Sequence, residues 1–124
     1  MNNHKDLEVW KKSVALAKNV YEATKGFPKD EVFGLTSQMK RASVSIASNI
    51  AEGAARKGQQ EFIQFLYIAI GSASELDTQI EIAKAIGIGD ATTLDKLQQS
   101  TDTVKAMLYG LAKSIKARQA NNEE

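Results

Sequence analysis

If residues 31 to 54 form one helix, a rotation of 100° per residue places Gln38, Ser45, Asn49 and Glu52 within about 60° of one another. They border an apolar stripe of Leu35, Met39, Ala42, Ile46, Ile50 and Gly53. Polar groups at the margin of a seam can work as acid and base, contact a ligand, or satisfy one another between helices. Catalysis by a serine needs a neighbouring base, and the only histidine is His4, close to the N-terminus and far from any serine-rich segment. The absence of cysteine removes thiol nucleophiles, thiolate metal sites and disulfides together. A di-metal carboxylate centre in a helical bundle would need two Glu-x-x-His pairs, which one histidine cannot supply. Asp77 and Glu81 share a face at i and i+4, a spacing read as solvated surface. No glycine-rich phosphate loop follows a strand, and "GIGD" at 87–90 reads as a helix stop. Neither an enzyme nor a cofactor or metal is expected.

The reading that remains for the polar flank is structural. Arg41, Glu52 and Glu75 border seams, and with Ser45, Asn49 and Ser72 they are expected to form an inter-helix network, because partly buried charges need partners. Gly53 is expected to let the chain turn into the following loop.

Basic residues carry the functional hint. Lys11, Lys18 and Lys25 recur every seven positions and form one stripe along the first helix, while Arg56 and Lys57 project from the loop after the second. Residues 1–57 carry ten Lys or Arg against six Asp or Glu, a charge of +4, whereas 58–124 carry six against nine, −3. A near-neutral chain, +1 overall, can therefore present one basic face suited to phosphates.

These residues sit on four periodic segments. The first, about 7–25, spaces Trp10, Val14, Ala17 and Tyr21 by four, three and four, with Val9, Leu16 and Val20 widening the arc, and should stop at a left-handed Gly26 before Pro28. The second spans about 31–54. The third, about 58–86, carries a seam of Phe62, Leu66, Ala69, Ala73, Leu76, Ile80 and Ala83, and should end at Gly87 with Ile88 supplying a Schellman contact. Gly58 stands where a serine or threonine cap would be expected, which weakens the start of that helix without abolishing it. The fourth, about 92–118, is opened by "GDATTLDKL", with Asp90, Thr92 or Thr93 as cap, and should fray after about Arg118, leaving 119–124 as a disordered tail.

Short connections between long helices dictate an all-α, antiparallel up-down four-helix bundle in a single domain. Gly71, in the small run "AIGSAS", is expected to permit close approach to "ASVSIAS" of the second helix. Ile63, Tyr67, Ile68 and Ile70 exceed what one seam requires and point to a further apolar contact, assigned to an oligomer interface. The longest apolar run, "FLYIAI", is far below the roughly 18 residues of a membrane span, and with no secretory leader visible a cytoplasmic location is expected, without membrane contact.

Three stretches, "DLEVWKKSVALAKNVYEAT", "FPKDEVFGLTSQMKRASVSIASNIAEGAAR" and "EFIQFLYIAIGSASELDTQIEIAKAIG", are similar in order and spacing to the four-helix bundle proteins encoded within intervening sequences of bacterial 23S ribosomal RNA genes. The most specific part is S-I-x-x-N-I-A-E-G with an arginine three residues later, here Ser45 to Gly53 and Arg56. The resemblance implies a ring-shaped homo-oligomer, a pentamer. It also implies kinship with the accessory variability determinant of diversity-generating retroelements, which binds nucleic acid and a reverse transcriptase. The expected function is a non-enzymatic homo-oligomer that binds RNA or DNA. The alternative is a scaffold or adaptor for a protein partner, such as an accessory to a nucleic-acid enzyme.

Overall fold

The computed structural model describes residues 3–123, and among them there are four long helices and no strand. A 3-10 turn, His4–Asp6, precedes α1 (Glu8–Thr24); a second, Lys29–Glu31, precedes α2 (Leu35–Ala54); α3 (Gln59–Ile86) and α4 (Ala91–Glu123) follow. Consecutive helices pack on one another and α4 returns against α1, closing a four-helix bundle. Cross-links between α3 and α4 run in opposite senses: Lys84 meets Asp95, Glu81 meets Gln98 and Tyr67 meets Lys116, so these helices are antiparallel.

The core is aliphatic. Leu16 and Val20 of α1, Met39, Ile46 and Ile50 of α2, Leu66, Leu76 and Ile80 of α3, and Leu94, Leu108 and Ile115 of α4 are all essentially inaccessible to water. Burying each such side chain contributes roughly 1.5–3 kcal/mol against leaving it exposed. The α3 seam is as expected, but the buried face of α1 is rotated. Val9, Ser13, Leu16, Val20 and Thr24 are inside, whereas Val14 and Tyr21 are exposed. Ser13 and Thr24 tolerate burial because their hydroxyls donate to the carbonyls of Val9 and Val20 one turn earlier.

The helix ends show which local signals prevailed. α1 ends with Lys25 in right-handed geometry, and Gly26 does not take the left-handed conformation expected of it. α2 starts at Leu35, four residues later than the periodicity indicated. Gly34 adopts φ −108°, ψ −115°, which breaks the run, and Glu31 Oε1 accepts from Leu35 N at 3.1 Å, capping the helix from outside. At the far end of α3, Gly87 is left-handed at φ 76° and Ile88 N donates to Ala83 O at 3.1 Å, the expected Schellman closure. Gly58 provides no side-chain cap and α3 still forms, held by its packing on both neighbours. The expectation of a disordered tail from residue 119 is corrected: α4 continues helically to Glu123, beyond the last buried apolar residue, Ile115, and residue 124 lies outside the described residues.

Two glycines depart from the roles assigned to them. Gly53 lies inside α2, and a Cβ there would meet Phe65 Cβ at 2.7 Å and Phe62 Cδ1 at 2.9 Å. Close approach of α2 and α3 therefore requires it, and the turn does not. Gly71, expected at a close approach, has nothing within 4 Å and faces outward. Gly53→Ala is expected to lower the urea midpoint by the equivalent of about 1–3 kcal/mol through overpacking. Gly71→Ala should raise it by about 1 kcal/mol, because only helix propensity changes there.

Asp90 is the cap of α4, accepting from Thr93 N at 2.9 Å and Thr93 Oγ1 at 2.8 Å. The Thr93 backbone N–H, then its hydroxyl, hold the Asp90 carboxyl below the ordinary aspartate range. A depressed folded pKa means the stabilisation is complete above the unfolded value and fades as pH falls through the folded one. Asp90→Ala should lower the thermal midpoint at pH 7, and the gap from wild type should close as pH drops below the aspartate range.

Candidate functional site

Three groups of side chains bear on function: the polar residues of the α2/α3 groove, the basic residues of α1 and α2, and the apolar residues left outside the core. Antiparallel packing of α2 on α3 brings Ser45 opposite Ser72, whose hydroxyls lie 2.9 Å apart. Asn49 Nδ2 donates to Ser45 O at 2.8 Å and to Ser45 Oγ at 3.0 Å, joining the trio into one chain of hydrogen bonds. Thus Ser45, Asn49 and Ser72 are brought together.

The charged members are not part of it. Glu52 is exposed and pairs one turn on with Arg56 at 3.3 Å; Arg56 also approaches Glu61 at 3.8 Å and stacks over Phe65, 4.9 Å from the ring centre. These links fasten the α2–α3 loop from outside. Arg41 and Glu75 are exposed, and no ion pair involving either is found among the described residues. The expected buried ionic network shrinks to a neutral core because Arg41, Glu52 and Glu75 sit one step too far round their helices to enter the seam.

Arg41 and Glu75 instead stand on opposite walls of a cleft of about 320 Å³ between α2 and α3, with Gln38, Ser45, Ser72 and Gln79 completing the lining. Gln79 is buried at 8% exposure, and its Oε1 has no hydrogen-bond partner among the described residues. An unpaired buried acceptor costs roughly 1–3 kcal/mol, so this atom is a debt within an otherwise satisfied core. The periodicity of α3 did not single out Gln79; its only signal was a polar residue within the buried arc between Leu76 and Ile80.

The lysine stripe is present on the surface of α1. Lys11, Lys18 and Lys25 are exposed; Lys11 pairs with Glu8 and Lys25 with Glu22, each at 3.3 Å and each on the same helix. Exposed pairs of this kind contribute little and exchange readily with an incoming anion. Because the buried face of α1 is rotated, Val14 and Tyr21 stand beside the stripe, both 42% exposed, and Lys40 of α2 lies over the Tyr21 ring at 4.8 Å. Lys40 was missed in the sequence because its partner is on another helix. Lys57 is exposed in the loop after α2. The opposite side is acidic: Gln98 Nε2 donates to Asp77 at 3.1 Å and to Glu81 at 2.6 Å, and Lys84 reaches Asp95 at 2.7 Å. The hydrogen bond and charge of Asp95, with Glu81 and Asp77 nearby, hold the Lys84 ammonium above its usual range. Among the described residues no group of three or more acidic or imidazole side chains is placed to hold a metal ion.

Of the four residues assigned to an oligomer interface, Ile63 and Ile70 are buried within the single chain, at 5% and 6% exposure. That assignment is corrected for both: α3 packs against α2 on one side and α4 on the other, so one chain uses the wide apolar arc. Tyr67 and Ile68 remain exposed, at 42% and 50%, although the Lys116 ammonium lies 4.7 Å over the Tyr67 ring and donates to its hydroxyl. The most exposed apolar residue is Phe33, at 95%, in the turn before α2.

Residues 5–110 match the family model described as 23S rRNA-intervening sequence protein. The chain belongs to that family. Its fold is also that of a crystal structure of a protein of unknown function from the S23 ribosomal protein family of Bacteroides thetaiotaomicron, at 22% sequence identity and a TM-score of 0.78, covering 85% of this chain and 95% of that one. No curated protein matches the chain. Family membership accounts for the bundle and assigns no chemistry to the surfaces. Among the described residues no helix is long and apolar enough to cross a membrane.

The hydrogen-bonded trio makes a measurable claim. Ser45→Ala and Ser72→Ala should each cost about 1 kcal/mol, and the double variant should cost less than their sum, because one shared bond is lost in all three. Glu52→Gln should stay within about 0.5 kcal/mol of wild type. Equilibrium urea unfolding distinguishes these outcomes.

Proposed function

We propose that this member of the intervening-sequence family is a non-enzymatic, homo-oligomeric, cytoplasmic bundle that binds structured RNA through the α1/α2 face. The observation that carries the reading is the surface formed by Lys11, Lys18 and Lys25 beside Tyr21, with Lys40 stacked on that ring. Lysines along a 17-residue helix offer cations at intervals of about 10 Å, while the exposed ring offers a stacking plane for an unpaired base. The acidic α3/α4 side would repel the same phosphates and so orient the approach. Arg56 is a weaker contributor than its position in the loop indicated, since Glu52 and Glu61 already hold it; Lys57 makes no ion pair among the described residues.

Assembly into a ring, and a ring of five in particular, comes to this chain from its family resemblance. It would repeat the basic stripe and multiply weak phosphate contacts. Tyr67 and Ile68 are the remaining members of the assigned interface.

A second reading has its own support. Val32 and Phe33, at 50% and 95% exposure, precede α2, and the Ser45–Ser72 register brings that end of α2 level with the end of α3, where Ile82 and Ile86 are exposed at 46% and 56%. An apolar end of this kind suits an adaptor that grips a protein, such as a nucleic-acid enzyme.

Charge reversal at Lys11, Lys18 and Lys25 together should abolish RNA binding with helicity unchanged. Single neutralisations should each flatten the log–log salt dependence by roughly 0.7–0.9, as expected per phosphate contact. Fluorescence anisotropy against a structured RNA, from low to high salt, measures both; no binding by wild type at low salt would leave the adaptor reading in its place.

A further inference from the structure

The α2/α3 cleft has features that neither bundle stability nor a basic face requires. Its floor holds the Ser45–Ser72 hydroxyl pair and the buried Gln79, whose Oε1 lacks a donor, while Arg41 and Glu75 face the same space from two helices without an ion pair to each other. An occupant must therefore bring acceptors for Arg41 and, on another edge, adjacent donors for Glu75 and Gln79. At about 320 Å³ the space is at the small end of ligand sites, and its mainly polar lining suits one small group recognised through hydrogen bonds at its edges.

We propose that this cleft reads an unpaired guanine base. The Glu75 carboxylate accepts from guanine N1–H and one N2 proton, Arg41 donates to O6 and N7, and Gln79 Oε1 receives the second N2 proton after a turn of its soft terminal torsion. Guanine alone among the common RNA bases sets two adjacent donors on one edge and two adjacent acceptors on another. Adenine and cytosine would turn a lone pair towards Glu75, and uracil offers a single donor between two carbonyls. The serine hydroxyls can reorient to donate or accept and so add no preference. Lys40 and Arg41 are consecutive, and they lead to different sides of α2: Lys40 to the basic face, Arg41 to the cleft. A strand held by the α1 lysines can thus place one flipped nucleotide across α2. This inference rests on the RNA-binding reading and adds a base specificity to it.

The test uses the full chain and RNA hairpins identical except for one unpaired loop nucleotide, guanosine, inosine or adenosine, with anisotropy read across a salt series; 5′-GMP is titrated separately while amide signals of α2 and α3 are followed by NMR. Wild type should prefer guanosine over adenosine by roughly tenfold to a hundredfold, with inosine between, since it lacks the N2 group. Glu75→Gln should remove the preference and leave the salt slope unchanged; Gln79→Leu should reduce the guanosine–inosine difference, with circular dichroism confirming the fold. Equal affinity for all three hairpins, with steep salt dependence, overturns the guanine site and leaves RNA binding standing. No affinity for any hairpin, with GMP shifting cleft signals that Glu75→Gln abolishes, overturns the RNA reading and makes the cleft a free-nucleotide site. No response to hairpins or GMP overturns both.

Discussion

The approach of α2 to α3 at Gly53 is the constraint on which both candidate surfaces depend. With Phe65 Cβ 2.7 Å from where a Gly53 side chain would begin, the two backbones are locked at a separation that no other residue allows. That contact lies at the loop end of the hairpin. Further along, the Ser45–Ser72 bond fixes the register, since sliding either helix by one turn would part the two hydroxyls, leaving Ser45 with Asn49 of its own helix and Ser72 without this bond. The cleft bordered by Arg41 and Glu75 opens beyond this bond, where the helices no longer touch through glycine. Its width follows from the same geometry that closes the hairpin.

The extensive packing of α3 on both α2 and α4 explains why its apolar content is so high. A helix at the corner of a bundle touches two neighbours and needs an apolar arc wider than a two-helix seam. Ile63 and Ile70 serve that second contact within one chain, so an apolar surplus read along the sequence overstates what remains for other subunits. Phe33, Ile68, Ile82 and Ile86 are among the apolar residues that the single chain leaves uncovered. Phe33 lies outside any helix, where periodicity has nothing to say about burial.

Helix number, the α3 seam, the Gly87 stop and the Asp90 cap were legible because each depends on residues within a turn or two of one another. The failures share a different cause. The apolar arc of α1 contains two overlapping stripes, Val9–Leu16–Val20 and Trp10–Val14–Tyr21, and the choice between them rests with α2 and α4, which pack against the first. Gly53 and Gly71 look alike in sequence; only the presence of Phe62 and Phe65 at one and open space at the other separates them. The motif from Ser45 to Arg56 was recognised as a unit, yet it divides in space into a neutral inner trio and an outer Glu52–Arg56 clasp.

That division bears on how a helical bundle can acquire function. The inner trio and Gly53 specify the hairpin, and they leave the outward positions of α2 free to carry any side chain soluble in water. Lys40 and Arg41 are consecutive, hence about 100° apart around the helix, so one turn of α2 faces both the basic surface and the polar cleft. A ligand that spans the two surfaces has to cross a single helix, about 10 Å wide, which is within reach of one nucleotide of extended strand and its base. A rigid α2, held on one side by α1 and on the other by α3, would keep those two contacts at fixed spacing without any moving part. Under the proposed RNA reading, the bundle's contribution to recognition would be the spacing itself, set by aliphatic packing and one obligatory glycine.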